Sequence, residues 1–334
     1  MKATLAALAL AAAAGAASPH LLRAQVWTAD DAALAHDLTH APRECVGALS
    51  PQADAGRALF RSPGLLGGPA ARIGLSCNAC HSNGRVNATF SLPELTNRAG
   101  AADVTSEWAS KVRGDGVMNP RPIPDLAGVR SRPTHGQHAD PSLEHFVHSV
   151  IEEEFQGPPP SPQAFDDLVG YLRALDAHIC GGEVRISLHD AANDVRRAVS
   201  AAQGADAPTA SALLLAAQDA VGRVVERLPE ARFGSQRAAL EALSRELGAM
   251  RYSADVRAAL QTGGAGWNAR FDAIAAQIAP HERQTYFDEG MLRAALNHQD
   301  RACASSDCTA ATRASKASGA IGVQSGIWLA NQVN

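Results

Sequence analysis

Aromatic side chains make up only 4 % of this 334-residue chain, while alanine is abundant. That composition disfavours a β-sandwich core and favours helices packed through small residues. Strong charge of one sign is also missing: the formal net charge is −4, with both signs spread along the chain. Without a basic block, nucleic-acid binding is not expected. Past the first seventeen residues no segment is apolar enough to span a bilayer. The C-terminal half offers no Gly-rich phosphate loop and no triad-like cluster. The length leaves room for two domains.

Against that plain background, residues 77–81 read Cys-Asn-Ala-Cys-His. C-x-x-C-H is the attachment signature of c-type haem. Cys77 and Cys80 stand about one helical turn apart, as two thioether anchors on one porphyrin edge require, and His81 follows at once as the proximal iron ligand. Two other uses of a Cys pair compete. A thioredoxin-like dithiol opens a helix after a buried strand, yet Gly67-Gly68-Pro69-Ala70-Ala71-Arg72-Ile73-Gly74 shows no strand pattern. A zinc site needs a second donor pair, and the candidates His135 and His138 lie more than fifty residues away.

Haem c is attached outside the bacterial cytoplasm, and the amino terminus reads as an export signal. Met1-Lys2 is the positive end, residues 3–14 the apolar stretch, and Ala14-Gly15-Ala16-Ala17 the small-residue cleavage site. This predicts a signal peptide at 1–17, a mature chain starting between Ser18 and Gln25, a periplasmic location and no membrane span in the mature chain. Four further cysteines suit that compartment. Cys45 and Cys180 bracket the haem segment and are placed to form a disulfide, for which loop closure predicts roughly 3–5 kcal/mol. Cys303 and Cys308 are placed to close a small local loop.

The chain divides into a leader and haem unit at 26–182, an amphipathic helical segment at 183–300, and a Ser/Ala/Thr/Gly-rich tail at 301–334 that reads as disordered. Thr28 is a candidate cap for a leader helix beginning Ala29-Asp30-Asp31. Residues 51–60 predict the first helix of the haem unit, and Ser161-Pro162 starts its last one with Ser as N-cap and Pro at N1. Gly56 would let the two cross closely, with Phe60 near Tyr171 and Leu172. Beyond Gly181-Gly182, apolar residues recur at helical spacing through Leu188, Val195, Leu214, Val221, Leu240, Leu247, Trp267 and Ile278. Pro229, Gly263-Gly264 and Pro280 punctuate a predicted bundle of four or five helices. His189, His281 and His298 are expected on its surface.

Five stretches stand out between residues 53 and 176: Gly56-Arg57-Ala58-Leu59-Phe60, Leu75-Ser76-Cys77-Asn78-Ala79-Cys80-His81, Ile123-Pro124-Asp125-Leu126-Ala127-Gly128-Val129-Arg130, Ser142-Leu143-Glu144-His145-Phe146-Val147 and Asp167-Leu168-Val169-Gly170-Tyr171-Leu172-Arg173-Ala174-Leu175. Through them this segment resembles one domain of the bacterial di-haem cytochrome c peroxidase superfamily, which includes the methylamine-utilisation di-haem enzymes. The departures are informative. Those enzymes carry two haem motifs and this chain has one. Where the family places a Met or Tyr iron ligand, this chain has Ser149-Val150.

The sixth iron position is therefore open to several residues: His148 first, with His145 one turn earlier; then Met118, whose sulfur would raise the potential; then His135 and His138; or none. Arg85, Arg121 and Arg130 are candidate propionate partners. Glu152-Glu153-Glu154 resembles a docking patch for a basic partner, or else the exposed end of a helix. Together these readings predict an all-α chain, a cytochrome c-like haem domain followed by a helical bundle domain. One covalent haem c would be held by Cys77, Cys80 and His81, with electrons exchanged with a periplasmic redox partner protein. Peroxidase-like or ligand-sensing chemistry at an open distal site is the alternative, with Glu144 or His145 as possible acid–base groups.

Overall fold

The computed structural model describes residues 20–136 and 139–304. The segment at 1–17, His138, residues 305–334 and the side chains of Cys303 and Cys308 lie outside the described residues. The chain is mostly helical, with two very small two-stranded sheets. In order, the elements are α1 (Leu34–Asp37), β1 (His40–Pro42), α2 (Pro51–Phe60), α3 (Pro63–Leu66), α4 (Gly68–Arg72), α5 (Cys77–Cys80), β2 (Ala101–Ala102), β3 (Arg121–Pro122), α6 (Leu143–Ser149) and α7 (Pro162–Ala174). β4 (Glu183–Arg185), α8 (Leu188–Gly204), α9 (Ala207–Val225), α10 (Glu230–Arg251), α11 (Val256–Ile278) and α12 (Glu289–Ala304) complete the series. β1 pairs antiparallel with β4, and β2 with β3. Among the described residues no helix is long and apolar enough to cross a membrane.

Helix starts follow local chemistry. Ser50 accepts from the Ala53 N–H with Pro51 in the first turn of α2, and Ser161 does the same for Ala164 in α7. Ser187, Asp206 and Asp255 cap α8, α9 and α11. The α2–α7 crossing expected from Gly56 is present and very close. A Cβ on Gly56 would lie 1.8 Å from the Asp167 carbonyl oxygen. The Phe60 and Tyr171 rings pack with centroids 5.2 Å apart. The Cys45–Cys180 disulfide also forms, linking positions 135 residues apart on either side of Cys77–His81.

Two local expectations are corrected. Thr28 does not start a helix: its hydroxyl turns back to donate to the Ala24 carbonyl at 2.6 Å, closing a 3-10 turn at Arg23–Trp27. Its backbone is extended and bridges to Phe90, so the leader helix begins only at Leu34. Gly263-Gly264 does not interrupt the bundle, because α11 runs straight through it. A Cβ on Gly264 would sit 2.8 Å from Gln203 Nε2, and one on Gly263 would sit 2.7 Å from Met250 Cε. These glycines make room for neighbouring side chains.

The bundle of α8 to α11 shares a core with the preceding segment. Ala55 and Leu59 of α2 and Ala164 of α7 are buried in one apolar cluster with Val195, Leu214 and Trp267. Trp267 is fully buried, and its indole N–H donates to the Leu243 carbonyl at 2.8 Å. Ion pairs cross the same seam: Arg57 to Asp194 at 2.5 Å and Arg23 to Asp219 at 2.6 Å. His189, His281 and His298 are exposed, as expected.

Candidate functional site

The Cys77–His81 segment begins after an extended Ser76 and winds one helical turn, with the His81 N–H donating to the Cys77 carbonyl at 2.9 Å. The chain then turns sharply through Asn83 and Gly84, both at positive φ (52° and 74°). Asn83 tolerates this because its side chain and backbone are tied down: its N–H meets Asn78 Oδ1 at 2.9 Å and its amide donates to the Pro42 carbonyl at 2.8 Å. Leu126 N–H bonds back to the Gly84 carbonyl at 2.9 Å, which brings the Pro124 segment against His81.

His81 Nδ1 lies 3.0 Å from the Pro124 carbonyl oxygen. A carbonyl only accepts, so Nδ1 carries the proton and Nε2 keeps its lone pair. Burial pushes the imidazole down to about 4, against the opposing pull of Pro124 and Asp125, so the ring is neutral at pH 7. Neutral imidazole with one nitrogen fixed by a backbone acceptor is the form that ligates a metal.

The two thiols lie where two apolar clusters meet. Cys77 and Cys80 pack against the group that holds Leu75, Phe90, Leu95 and Phe155. Cys77 also touches the group that holds Phe60, Val147 and Leu172. Burial pushes the Cys77 thiol up to about 12 and raises Cys80 as well, with Cys77 beside it adding to the effect. A redox dithiol needs the opposite, a depressed pKa. Among the described residues no set of three donors including Cys77, Cys80 or His81 lies within 4.8 Å of one another, as a shared ion would need. Two thiols and one oriented imidazole beside apolar clusters are residues that would fit a covalently held porphyrin.

The other expected residues are dispersed. His148, on α6, stacks on Phe165 with centroids 3.8 Å apart and meets Glu152 through Nδ1 at 3.1 Å. No described contact links it to Cys77, Cys80 or His81. Met118 is on an exposed loop, 47 % accessible. His135 is buried, with its backbone bridged to Asp140 and its ring facing Phe146. His145 is exposed and pairs with Asp140, and Glu144 pairs with Arg173. Arg85 is bound to Asp125 at 2.5 Å, Arg130 lies 3.8 Å from Asp176, and Arg121 is exposed on β3. Glu152-Glu153-Glu154 is not a free acidic patch. It winds through a single π turn that follows α6. Arg113 pairs with Glu153 at 2.7 Å and with the buried Glu154 at 2.8 Å.

One feature of the site carries no motif in the sequence. Glu44 accepts from Arg57 at 2.8 Å, from Arg61 at 3.3 Å and from the Tyr171 hydroxyl at 2.5 Å. Burial raises its pKa, but Arg61 and Arg57 outweigh this and hold the carboxyl below its ordinary value. Arg61 also donates to Asn83 Oδ1 at 2.6 Å, two residues beyond His81. The only hint of this network in the sequence is two arginines four apart on the face of α2 that carries buried Phe60.

Compared with known proteins, the chain matches no family model, no curated protein and no solved structure.

Proposed function

We propose that this chain is an exported mono-haem c-type cytochrome that transfers electrons to and from a periplasmic partner protein. In this reading residues 26–182 form a cytochrome c-like haem domain and 183–300 a helical bundle packed on it. Cys77 and Cys80 anchor the porphyrin by thioethers, and His81 ligates the iron through Nε2. The bound haem would supply a one-electron Fe(III)/Fe(II) couple. The observation that carries the reading is the His81 Nδ1 bond to the Pro124 carbonyl at 3.0 Å, which orients the imidazole and fixes its tautomer. The apolar clusters packed against the thiols would shield a bound porphyrin from water. They also raise the cost of a net charge there, which is one lever on the potential.

His148 remains the first candidate for the sixth ligand, and its use would require breaking the Glu152 contact or ligating through Nε2. Met118 or an open position would give a ferric spectrum distinct from bis-His ligation, whichever of His148, His135 and His138 supplied the second imidazole. The test is expression of the full chain in a host with a haem c maturation system. Haem that survives acid–acetone extraction and gives a haemochrome spectrum supports the reading. A colourless product, or pigment that extracts, refutes it. Cys77→Ala with Cys80→Ala should abolish covalent attachment. Carbon monoxide binding by the ferrous protein, or peroxide turnover, would move the assignment to the ligand-binding or peroxidase-like alternative.

A further inference from the structure

A second cluster of metal-ligating side chains lies where the leader meets the last helix, and it is independent of the haem reading. His36 belongs to α1, His40 starts β1, and Glu289 opens α12. One ligand atom from each of the three lies within 4.8 Å of the others. The two imidazoles stack with centroids 4.0 Å apart and an interplanar angle of 17°. All three residues are partly buried.

The hydrogen bonds around the rings decide which nitrogens are available. His40 Nδ1 lies 3.2 Å from the His36 carbonyl oxygen and 3.1 Å from Thr39 Oγ1. Thr39 gives its own proton to the Ala35 carbonyl at 2.8 Å, so both neighbours of His40 Nδ1 accept. Nδ1 is therefore the protonated nitrogen, and Nε2 keeps a lone pair. His36 Nε2 lies 3.0 Å from a Glu183 carboxylate oxygen, and His36 Nδ1 lies 3.4 Å from Glu289 Oε2. With the Nε2 proton donated to Glu183, Nδ1 is left facing Glu289. Each ring thus has one nitrogen turned to an acceptor outside the three-residue set, as metal-bound histidines do, while His36 Nδ1 faces Glu289 within it.

We propose that His36 Nδ1, His40 Nε2 and Glu289 bind a divalent transition-metal cation of the zinc type, with Glu183 orienting His36 from outside. Two imidazoles and one carboxylate are a borderline donor set that suits Zn²⁺, Co²⁺ or Ni²⁺ better than Ca²⁺ or Mg²⁺. Tetrahedral bonds of about 2.0–2.1 Å bring ligand atoms to about 3.4 Å apart, so the atoms, now within 4.8 Å of one another, must close in. One imidazole must also turn out of the stack, because a bound ion lies in the plane of each ring that holds it. Glu289 also pairs with Arg293, which must release one carboxylate oxygen or share the carboxylate when the ion binds. The ion would fasten the leader to α12, where Leu22, Ala35, Leu38 and Leu292 already form a small apolar cluster.

The test uses the tag-free mature chain, stripped with a chelator and titrated with CoCl₂ and ZnCl₂. The expected result is one Co²⁺ per chain with visible d–d bands of a four- or five-coordinate ion, displaced by Zn²⁺. His40→Ala and Glu289→Gln should each weaken binding at least tenfold. Glu183→Gln should keep the stoichiometry but lose affinity by roughly tenfold, the effect of removing an outer hydrogen-bond partner. Circular dichroism of each variant checks that it is folded, and Glu289→Gln, at an accessible helix start, guards against a folding failure of His40→Ala. No saturable Co²⁺ binding by the wild type overturns the proposal. So does binding unchanged in His40→Ala and Glu289→Gln. A near-ultraviolet thiolate-to-cobalt band would put the ion on Cys77 and Cys80 and overturns it equally.

Discussion

Gly56→Ala tests the α2–α7 crossing with a single methyl group. An added Cβ would fall 1.8 Å from the Asp167 carbonyl oxygen, 2.4 Å from its carbonyl carbon and 2.9 Å from Leu168 N. All three are backbone atoms, so no side chain can swing aside and the helices must separate by more than 1 Å. Overpacking typically costs about 1–3 kcal/mol, and a clash with backbone belongs at the upper end. Replacing Gly by Ala inside a helix returns about 1 kcal/mol of intrinsic helix preference. The net expectation is a loss of about 2 kcal/mol, or roughly 0.7 M in urea midpoint for a slope of about 3 kcal/mol/M. Gly170→Ala is the matched control in the partner helix. There an added Cβ meets only Gln52 side-chain atoms at 3.5 Å, an ordinary contact, so that variant should gain roughly 0.5–1 kcal/mol. Urea unfolding followed by circular dichroism reads both. A Gly56→Ala midpoint at or above wild type, with the slope unchanged, would refute the close crossing.

Two further outcomes concern other parts of the structure. Cys45→Ser with Cys180→Ser opens a loop of 135 residues and should cost about 3–5 kcal/mol, read as a lower midpoint under non-reducing conditions that equals the midpoint of the reduced wild type. For Glu154, burial pushes the carboxyl up to about 7 from 4.5 despite the neighbouring Arg113. A raised acid binds its proton in the folded state, so its contribution is fully present below about pH 4.5 and is lost as pH rises towards 7. Relative to Glu154→Gln, the wild type should therefore lose stability across that window, by on the order of 3 kcal/mol. A flat difference between the two proteins from pH 4.5 to 8 would show that Arg113 keeps Glu154 ionised throughout.

The sequence spelled out the features that depend on near neighbours. Ser50-Pro51 and Ser161-Pro162 start helices because a hydroxyl three residues back from an orphan N–H has only one useful geometry. The Cys45–Cys180 link was legible from bracketing alone. Residues whose role depends on a distant partner were not. Gly263 and Gly264 look like a helix break, because a missing side chain signals chain flexibility and close approach equally. Glu153 and Glu154 look like free surface charge until the fold brings Arg113 to them from forty residues away. At the candidate site the donors Cys77, Cys80 and His81 stand in the motif itself. The Pro124 carbonyl that orients His81 has no side-chain signature and comes from 43 residues further along.

The bundle's relation to the loop after Cys77–His81 follows from the buried charges. Asp194, on α8, pairs with Arg57 at 2.5 Å and Arg61 at 3.6 Å. Burial would raise its carboxyl, but Arg61, Arg57 and Arg223 outweigh this and hold it at about 2. Arg61 in turn holds Asn83, whose left-handed backbone shapes the turn after His81. A buried set of this kind contributes little net stability compared with apolar packing, yet removing one member strands the others at a cost of several kcal/mol. Its value here is geometric: a continuous line of hydrogen bonds runs from α8 to the loop that aims the imidazole. A chain cut after β4 would lose Asp194 and uncover Ala55 and Leu59, which belong to the bundle's core. The C-terminal helices therefore act as the wall against which α2 is set. Through Arg61 and Asn83, the angle of α2 becomes part of the geometry of the candidate site.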